Sequence, residues 1–130
     1  MRRRRVQQPV QMQETVAARL SRLVEPAVLY LLGQGEAAHG YDLLSEVNAM
    51  GLTDTPVDPG GIYRTLRQLE AEGAVVSAWD TTGGGPARRN YELTAIGWAR
   101  LRAWIDVIER RADAMQSFVS KAQKLLKGKS

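Results

Sequence analysis

Beyond Thr94 the chain carries Leu101, Ile105, Ile108, Ala112, Met115, Val119, Ala122 and Leu126 at alternating steps of four and three. Such spacing is a heptad seam sustained for more than three repeats. No proline interrupts the stretch, so it reads as a single helix capped by Thr94 and running to about Lys127, roughly 50 Å long at about 1.5 Å per residue. A stripe of that length exceeds what a small domain can cover, and it is expected to pack against another helix, most economically the same helix of a second copy. The expected homodimer interface is therefore Leu101, Ile105, Ile108, Ala112, Met115 and Val119. Trp104, Phe118 and Leu125 occupy neighbouring heptad positions and widen the stripe.

The remainder is modest in size. With 130 residues, 44% hydrophobic and 25% charged, the chain fits one small globular core. It contains no cysteine, which excludes disulfides and thiolate zinc sites and fits a reducing, cytoplasmic setting. No apolar run approaches the roughly 18–20 residues that span a bilayer, and "MRRRRVQQPVQMQ" has a basic start without an apolar segment behind it. Neither secretion nor membrane insertion is expected. The formal net charge is +4, yet Arg2 to Arg5 and Lys121, Lys124, Lys127 and Lys129 supply eight positives at the two ends. The segment between is net negative, so the placement of charge matters more than its sum.

Met12, Val16, Leu20 and Leu23 recur at helical spacing and predict an amphipathic helix from about Val10 to Val24. "PAVLYLLGQG" predicts a buried helix with Pro26 at its first helical position and Gly35 as its stop. "HGYDLLSEVNAMG" predicts another, with Leu43, Leu44 and Val47 on one face and Gly51 as terminator. After the loop "LTDTPVDP", Asp58 is a good N-cap and Pro59 a good first residue. Ile62, Leu66 and Leu69 define the buried stripe of the helix that follows, and Gly73 ends it. Its other face holds Gly60, Arg64, Arg67 and Ala71, with Gln68 beside them. Two short strands, Ala74 to Asp80 and Arg89 to Thr94, flank "TTGGGPAR" and form a hairpin.

Helix, helix, loop, helix and hairpin, followed by a long helix, is a mainly α (α+β) winged helix-turn-helix with a C-terminal dimerisation helix. Three regions are expected: residues 1–24 as a basic arm and amphipathic helix, 25–94 as the winged domain, and 95–130 as the dimerisation helix. In this architecture the third helix enters the major groove with its N-terminal residues at the base edges. That gives a reason for Gly60 and Gly61 in a first helical turn, where each costs about 1 kcal/mol against alanine: they let the helix end and its free N–H groups come close to a phosphate. Arg64 and Arg67 can then reach guanine edges or phosphates and Gln68 an adenine, while Arg88 and Arg89 follow the backbone or minor groove.

The stretches "HGYDLL" (His39 to Leu44), "GIYRTLRQLEAEGAV" (Gly61 to Val75) and "GGPARRNYELTAIG" (Gly84 to Gly97), with the long terminal helix, resemble the PadR family of bacterial transcriptional regulators. The likeness covers about Glu25 to Arg110 and is closest to the shorter subgroup with a single terminal helix. It implies a winged-helix dimer that represses transcription from a pseudo-palindromic operator in double-stranded DNA and, in some relatives, answers to small planar compounds. It also implies a DNA-contacting role for Tyr63 and Arg64 and for the basic wing end, Arg88 and Arg89. Where the family often has Pro-x-Thr/Ser-Leu-Tyr, this chain has Pro59-Gly60-Gly61-Ile62-Tyr63 and lacks a hydroxyl that can meet phosphate. The Arg2 to Arg5 arm also exceeds the usual pattern.

Plainer readings stand beside these. Arg64 and Arg67 near Glu70 also suit a solvated helix face, Tyr63 a packing role, and Trp79 a strand residue that covers core. Arg2 to Arg5 suit a solvated tail, with a sequence-independent phosphate clamp as the alternative. Trp98 and Trp104 suit core packing, or an aromatic pocket at the dimer interface that stacks a flat effector. His39, the single histidine, suits a structural hydrogen bond. The terminal "GKS" lacks the rest of a phosphate loop, no nucleophile–base signature occurs, and neither metal nor cofactor is expected. The protein is thus read as a non-enzymatic DNA-binding regulator. The alternative is a winged-helix adaptor that binds protein partners without specific DNA binding.

Overall fold

A computed structural model describes residues 23–35, 40–53, 55–81 and 83–129. The arginine run, nearly all of the expected N-terminal helix, and His39 lie outside them. The elements in order are α1 (Val24–Gln34), α2 (Gly40–Met50), α3 (Pro59–Ala71), β1 (Val75–Asp80), β2 (Arg88–Leu93) and α4 (Ala95–Gly128). This is the mainly helical winged fold with a long terminal helix expected from the sequence.

Leu23 is the N-cap of α1 and Val24 its first residue, so α1 begins two residues before Pro26, the expected first position. Pro26 is tolerated inside that first turn because the first N–H groups of a helix have no partner within it. The buried faces of α1, α2 and α3 meet in one core whose largest fully enclosed side chains are Leu29, Leu43, Ile62, Leu66, Leu69, Val28, Val47 and Val75. β1 and β2 form a two-stranded antiparallel sheet, with Val75 opposite Leu93, Ser77 opposite Tyr91 and Trp79 opposite Arg89.

The turn from α3 into the wing is tightly specified. Gly73 sits at φ 81°, its N–H donates to the Glu70 carbonyl, and the Ala74 N–H reaches back to the Leu69 carbonyl at 2.8 Å. Those are the paired bonds of a Schellman stop, which needs glycine at the left-handed position. α4 then starts on top of this turn. Thr94 donates its hydroxyl to the Gly73 carbonyl at 2.6 Å and accepts from the Gly97 N–H at 3.2 Å, so one side chain caps α4 and pins it to the end of α3.

Gly97 is the buried residue of α4, and a Cβ placed there would run into the Ala74 carbonyl oxygen. Backbone cannot yield as a side chain tip can, so Gly97→Ala is expected to lower stability by about 1–3 kcal/mol, despite alanine's better helix propensity. Thermal unfolding of the variant beside the wild type measures this directly.

Candidate nucleic-acid interface

α3 is presented by two devices. The Asp58 carboxylate accepts from the Gly61 N–H at 2.8 Å, with Pro59 inside the first turn. Asn48, on α2, fixes the chain just before it: its Oδ1 accepts from the Val57 N–H at 2.7 Å and its Nδ2 donates to the Val57 carbonyl at 3.1 Å. This two-point grip sets how α3 leaves α2. Sequence reasoning missed it; the available signal was an amide close to a loop whose backbone groups need partners.

Gly60, Tyr63, Arg64, Arg67 and Gln68 are all exposed on α3. Arg64 folds back across the helix start, with its guanidinium 3.2 Å from where a Gly60 Cβ would stand. Gln68 donates to Glu72 at 3.2 Å. Gly61 is only half-exposed, and a Cβ there would come within 2.9 Å of Val57 and 3.2 Å of the Asp58 carboxylate. The missing side chain at Gly61 is thus accounted for by internal packing around the cap. Gly60, which meets only the mobile tip of Arg64 and the Asp58 carboxylate, leaves the helix end open to a surface approaching from outside.

The wing divides its arginines. Side chains alternate along a strand, and the pairing puts Arg89 on the face of Ser77, Trp79 and Tyr91, whereas Arg88, opposite Asp80, lies on the other. The face that bears Arg89 is turned toward α3: the Ser77 hydroxyl donates to Glu70 at 2.7 Å, and the Arg89 Nε donates to Ser77 at 3.1 Å. Burial pushes the Tyr91 phenol above its ordinary range, with the Arg89 guanidinium acting against it. Trp79 does not cover core. It is 62% exposed, because the core ends at Val75 and Tyr91 and the strands continue past it, and Arg89 lies over its ring at 5.1 Å from the centroid.

On α4, the two candidate effector residues meet opposite ends of α1. The Trp98 ring lies against Gly33, where a Cβ would stand 2.9 Å from it, and remains 43% exposed. Trp104 donates its indole N–H to Glu25 at 2.7 Å. Glu25 and Gly33 are eight residues apart on α1, about 12 Å, so the structure does not bring the two indoles into one slot within a single chain. Arg100 lies between them. Its Nε and Nη2 donate to the two Glu25 oxygens at 2.5 and 3.0 Å, and its Nη1 donates to Glu72 at 2.5 Å. Further along, Ile105, Met115 and Val119 of the seam are exposed, as are Phe118 and Leu125 beside it.

The family model for the transcriptional regulator PadR-like family matches residues 28–103, from α1 into the third turn of α4. The chain belongs to this family. Several solved PadR-like structures share the fold. A PadR family regulator from Eggerthella lenta is 28% identical over 84% of this chain and 93% of its own, with a TM-score of 0.64. A PadR-like regulator from Bacillus cereus is 25% identical over 77% of this chain and 94% of its own, with a TM-score of 0.66. PadR of Bacillus subtilis, solved in complex with operator DNA, is 28% identical over 64% of this chain and 47% of its own, with a TM-score of 0.55. No protein of curated function matches the chain. Among the described residues, no helix is long and apolar enough to cross a membrane, and no group of three or more histidine, cysteine, aspartate or glutamate side chains is placed to hold a metal ion.

Arg100 joins Glu25 of α1 to Glu72 at the end of α3, and the Glu72 carboxyl responds to pH. Hydrogen bonds from Gln68 and then Arg100 hold the Glu72 carboxyl below its ordinary value of 4.5. A lowered carboxyl stabilises the fold above its unfolded value and loses that contribution as pH falls through the folded one. Glu72→Gln removes the titrating group, so its melting temperature is expected to fall less than that of the wild type on acidification below pH 4.5. Parallel thermal melts across that range provide the comparison.

Proposed function

We propose that this PadR-like protein is a homodimeric, sequence-specific repressor that binds a pseudo-palindromic operator in double-stranded DNA. The observation that carries the reading is the exposed α3 face, where Arg64, Arg67 and Gln68 stand beside a helix start opened by Gly60. The free N–H groups there suit a phosphate, and an arginine fork suits guanine O6 and N7. Gly61 and Tyr63 belong to the same surface, with Arg88 and Arg89 reaching the flanking backbone from opposite faces of the wing. The complex of Bacillus subtilis PadR with operator DNA supports DNA as the partner.

The exposed seam of α4 supports dimerisation. Its residues Leu101, Ile105, Ile108, Ala112, Met115 and Val119 would pair with those of a second copy, and the two α3 helices would address half-sites about 34 Å apart or a multiple of it. Residues 25–94 act as the DNA-binding domain and 95–130 as the dimerisation helix, with 1–24 as a basic arm. A small aromatic effector stacking at the base of α4 releases the operator. Trp98 is the better anchor, since its ring keeps an open face while the Trp104 N–H is committed to Glu25. A coupling of about 1–3 kcal/mol is enough for such control.

Fluorescence anisotropy with DNA from upstream of the protein's own gene tests this reading. Binding is expected to survive excess random-sequence competitor and to weaken steeply with salt. Arg64→Ala should cost about 1–3 kcal/mol of operator affinity while multi-angle light scattering still returns a dimer mass. Competitor-sensitive binding, or a monomer mass at micromolar concentration, would overturn the respective part. Gly60→Ala separates helix stability from contact: it is expected to raise stability by up to about 1 kcal/mol and yet weaken operator binding.

A further inference from the structure

We propose that Trp79, together with Arg89, forms a grip for the deoxyribose–phosphate backbone on the α3-facing side of the wing. The proposal rests on the DNA-binding reading above and adds a contact residue of a different chemical kind.

Trp79 is an indole 62% exposed on a strand, and an indole with an apolar body and a polar tip is of the kind enriched at interfaces. It is also held in a defined orientation. Glu70 on α3 accepts from Ser77, Ser77 accepts from the Arg89 Nε, and the Arg89 guanidinium lies over the indole. That chain of contacts fixes the Trp79–Arg89 pair relative to the helix that carries Arg64 and Arg67. Val75, Ser77 and Trp79 share one face by strand alternation. Trp79 lies on it just beyond the point where the core ends at Val75 and Tyr91, so pair and helix border the same saddle.

Charge selects the occupant. The Glu70 carboxylate is turned onto Ser77, while Arg67 on the exposed face of α3, Arg64 at its start and Arg89 on the wing give this side of the molecule a cationic excess, which suits a polyanion. A guanidinium has five N–H donors, of which Arg89 commits its Nε to Ser77 and another to the Tyr91 hydroxyl. Donors therefore remain for a phosphate while the neighbouring indole packs on the C–H face of the adjoining sugar. Such a contact reads no base, so it adds affinity equally to operator and random DNA.

The test uses the full chain and a short random-sequence duplex at low salt, followed by anisotropy. Trp79→Ala is expected to weaken binding about fivefold, the low end for an aromatic face against a nucleotide, with the salt slope unchanged because no charge is lost. Trp79→Phe restores most of the affinity. Arg89→Ala lowers the slope by about one. In a second readout, the acrylamide quenching that distinguishes wild type from Trp79→Phe disappears once DNA saturates the protein, a measurement that holds even if Trp79→Ala folds poorly. Salt-dependent binding by the wild type with no loss in folded Trp79→Ala, or with Trp79 still quenched in the complex, overturns the grip and leaves the DNA reading intact. No salt-dependent binding by the wild type overturns that reading and the grip with it.

Discussion

The carboxylate of Glu25 fastens the long helix to the winged body. It receives a two-pronged arginine and an indole N–H from two successive turns of α4, while the same arginine reaches across to Glu72 at the end of α3. Charge-assisted, two-point bonds of this kind hold direction as well as distance. Thr94 and Gly97 add a second fastening a turn earlier, where the start of α4 sits directly on the Schellman stop of α3. Together they make the orientation of α3 and the direction of α4 a single geometric quantity. A member of the PadR-like family whose α3 and α4 are joined in this way has a short mechanical route from one to the other, through backbone and ion pairs.

Much of this fold was legible because its signals are local. Asp58 before Pro59, Thr94 before α4, and the glycines after α1, α2 and α3 announce helix ends by chemistry that acts within one turn, and the stripe Ile62, Leu66, Leu69 announces the buried side of α3. The length of α4 was legible for the opposite reason: its apolar periodicity runs without a break for many turns, and part of that stripe, Ile105, Met115 and Val119, is exposed. The fastenings were not legible. Glu25 and Arg100 are 75 positions apart, and nothing in either neighbourhood names the other. Asn48 and Val57 are nearer in sequence, yet their link depends on how the loop folds.

The candidate site shows the same division. Which residues of α3 are exposed follows from helical phase, and the phase was read correctly. The meaning of adjacent glycines did not follow, because Gly61 answers to Val57 and the Asp58 cap while Gly60 faces outward. Arg88 and Arg89, adjacent in sequence, part to opposite faces once the strand register is set. Trp79 was misjudged because strand aromatics cover core only as far as the core extends, and the wing outruns it.

Trp98, against Gly33, and Leu101 and Trp104, against the core, are apolar side chains by which the base of α4 packs on the body. From Ile105 to Gly128 the helix continues for about 36 Å at roughly 1.5 Å per residue. An arm of that length, held at its base by the Glu25 cluster, has the geometry of a lever. A tilt of about 5° at the base carries the far tip sideways through about 3 Å, a third of the roughly 8–10 Å that separates packed helix axes. A small rotation at the base is thus enlarged along the arm into a sideways shift on the scale of helix–helix packing. The length of α4, beyond providing surface, gives this small protein gain.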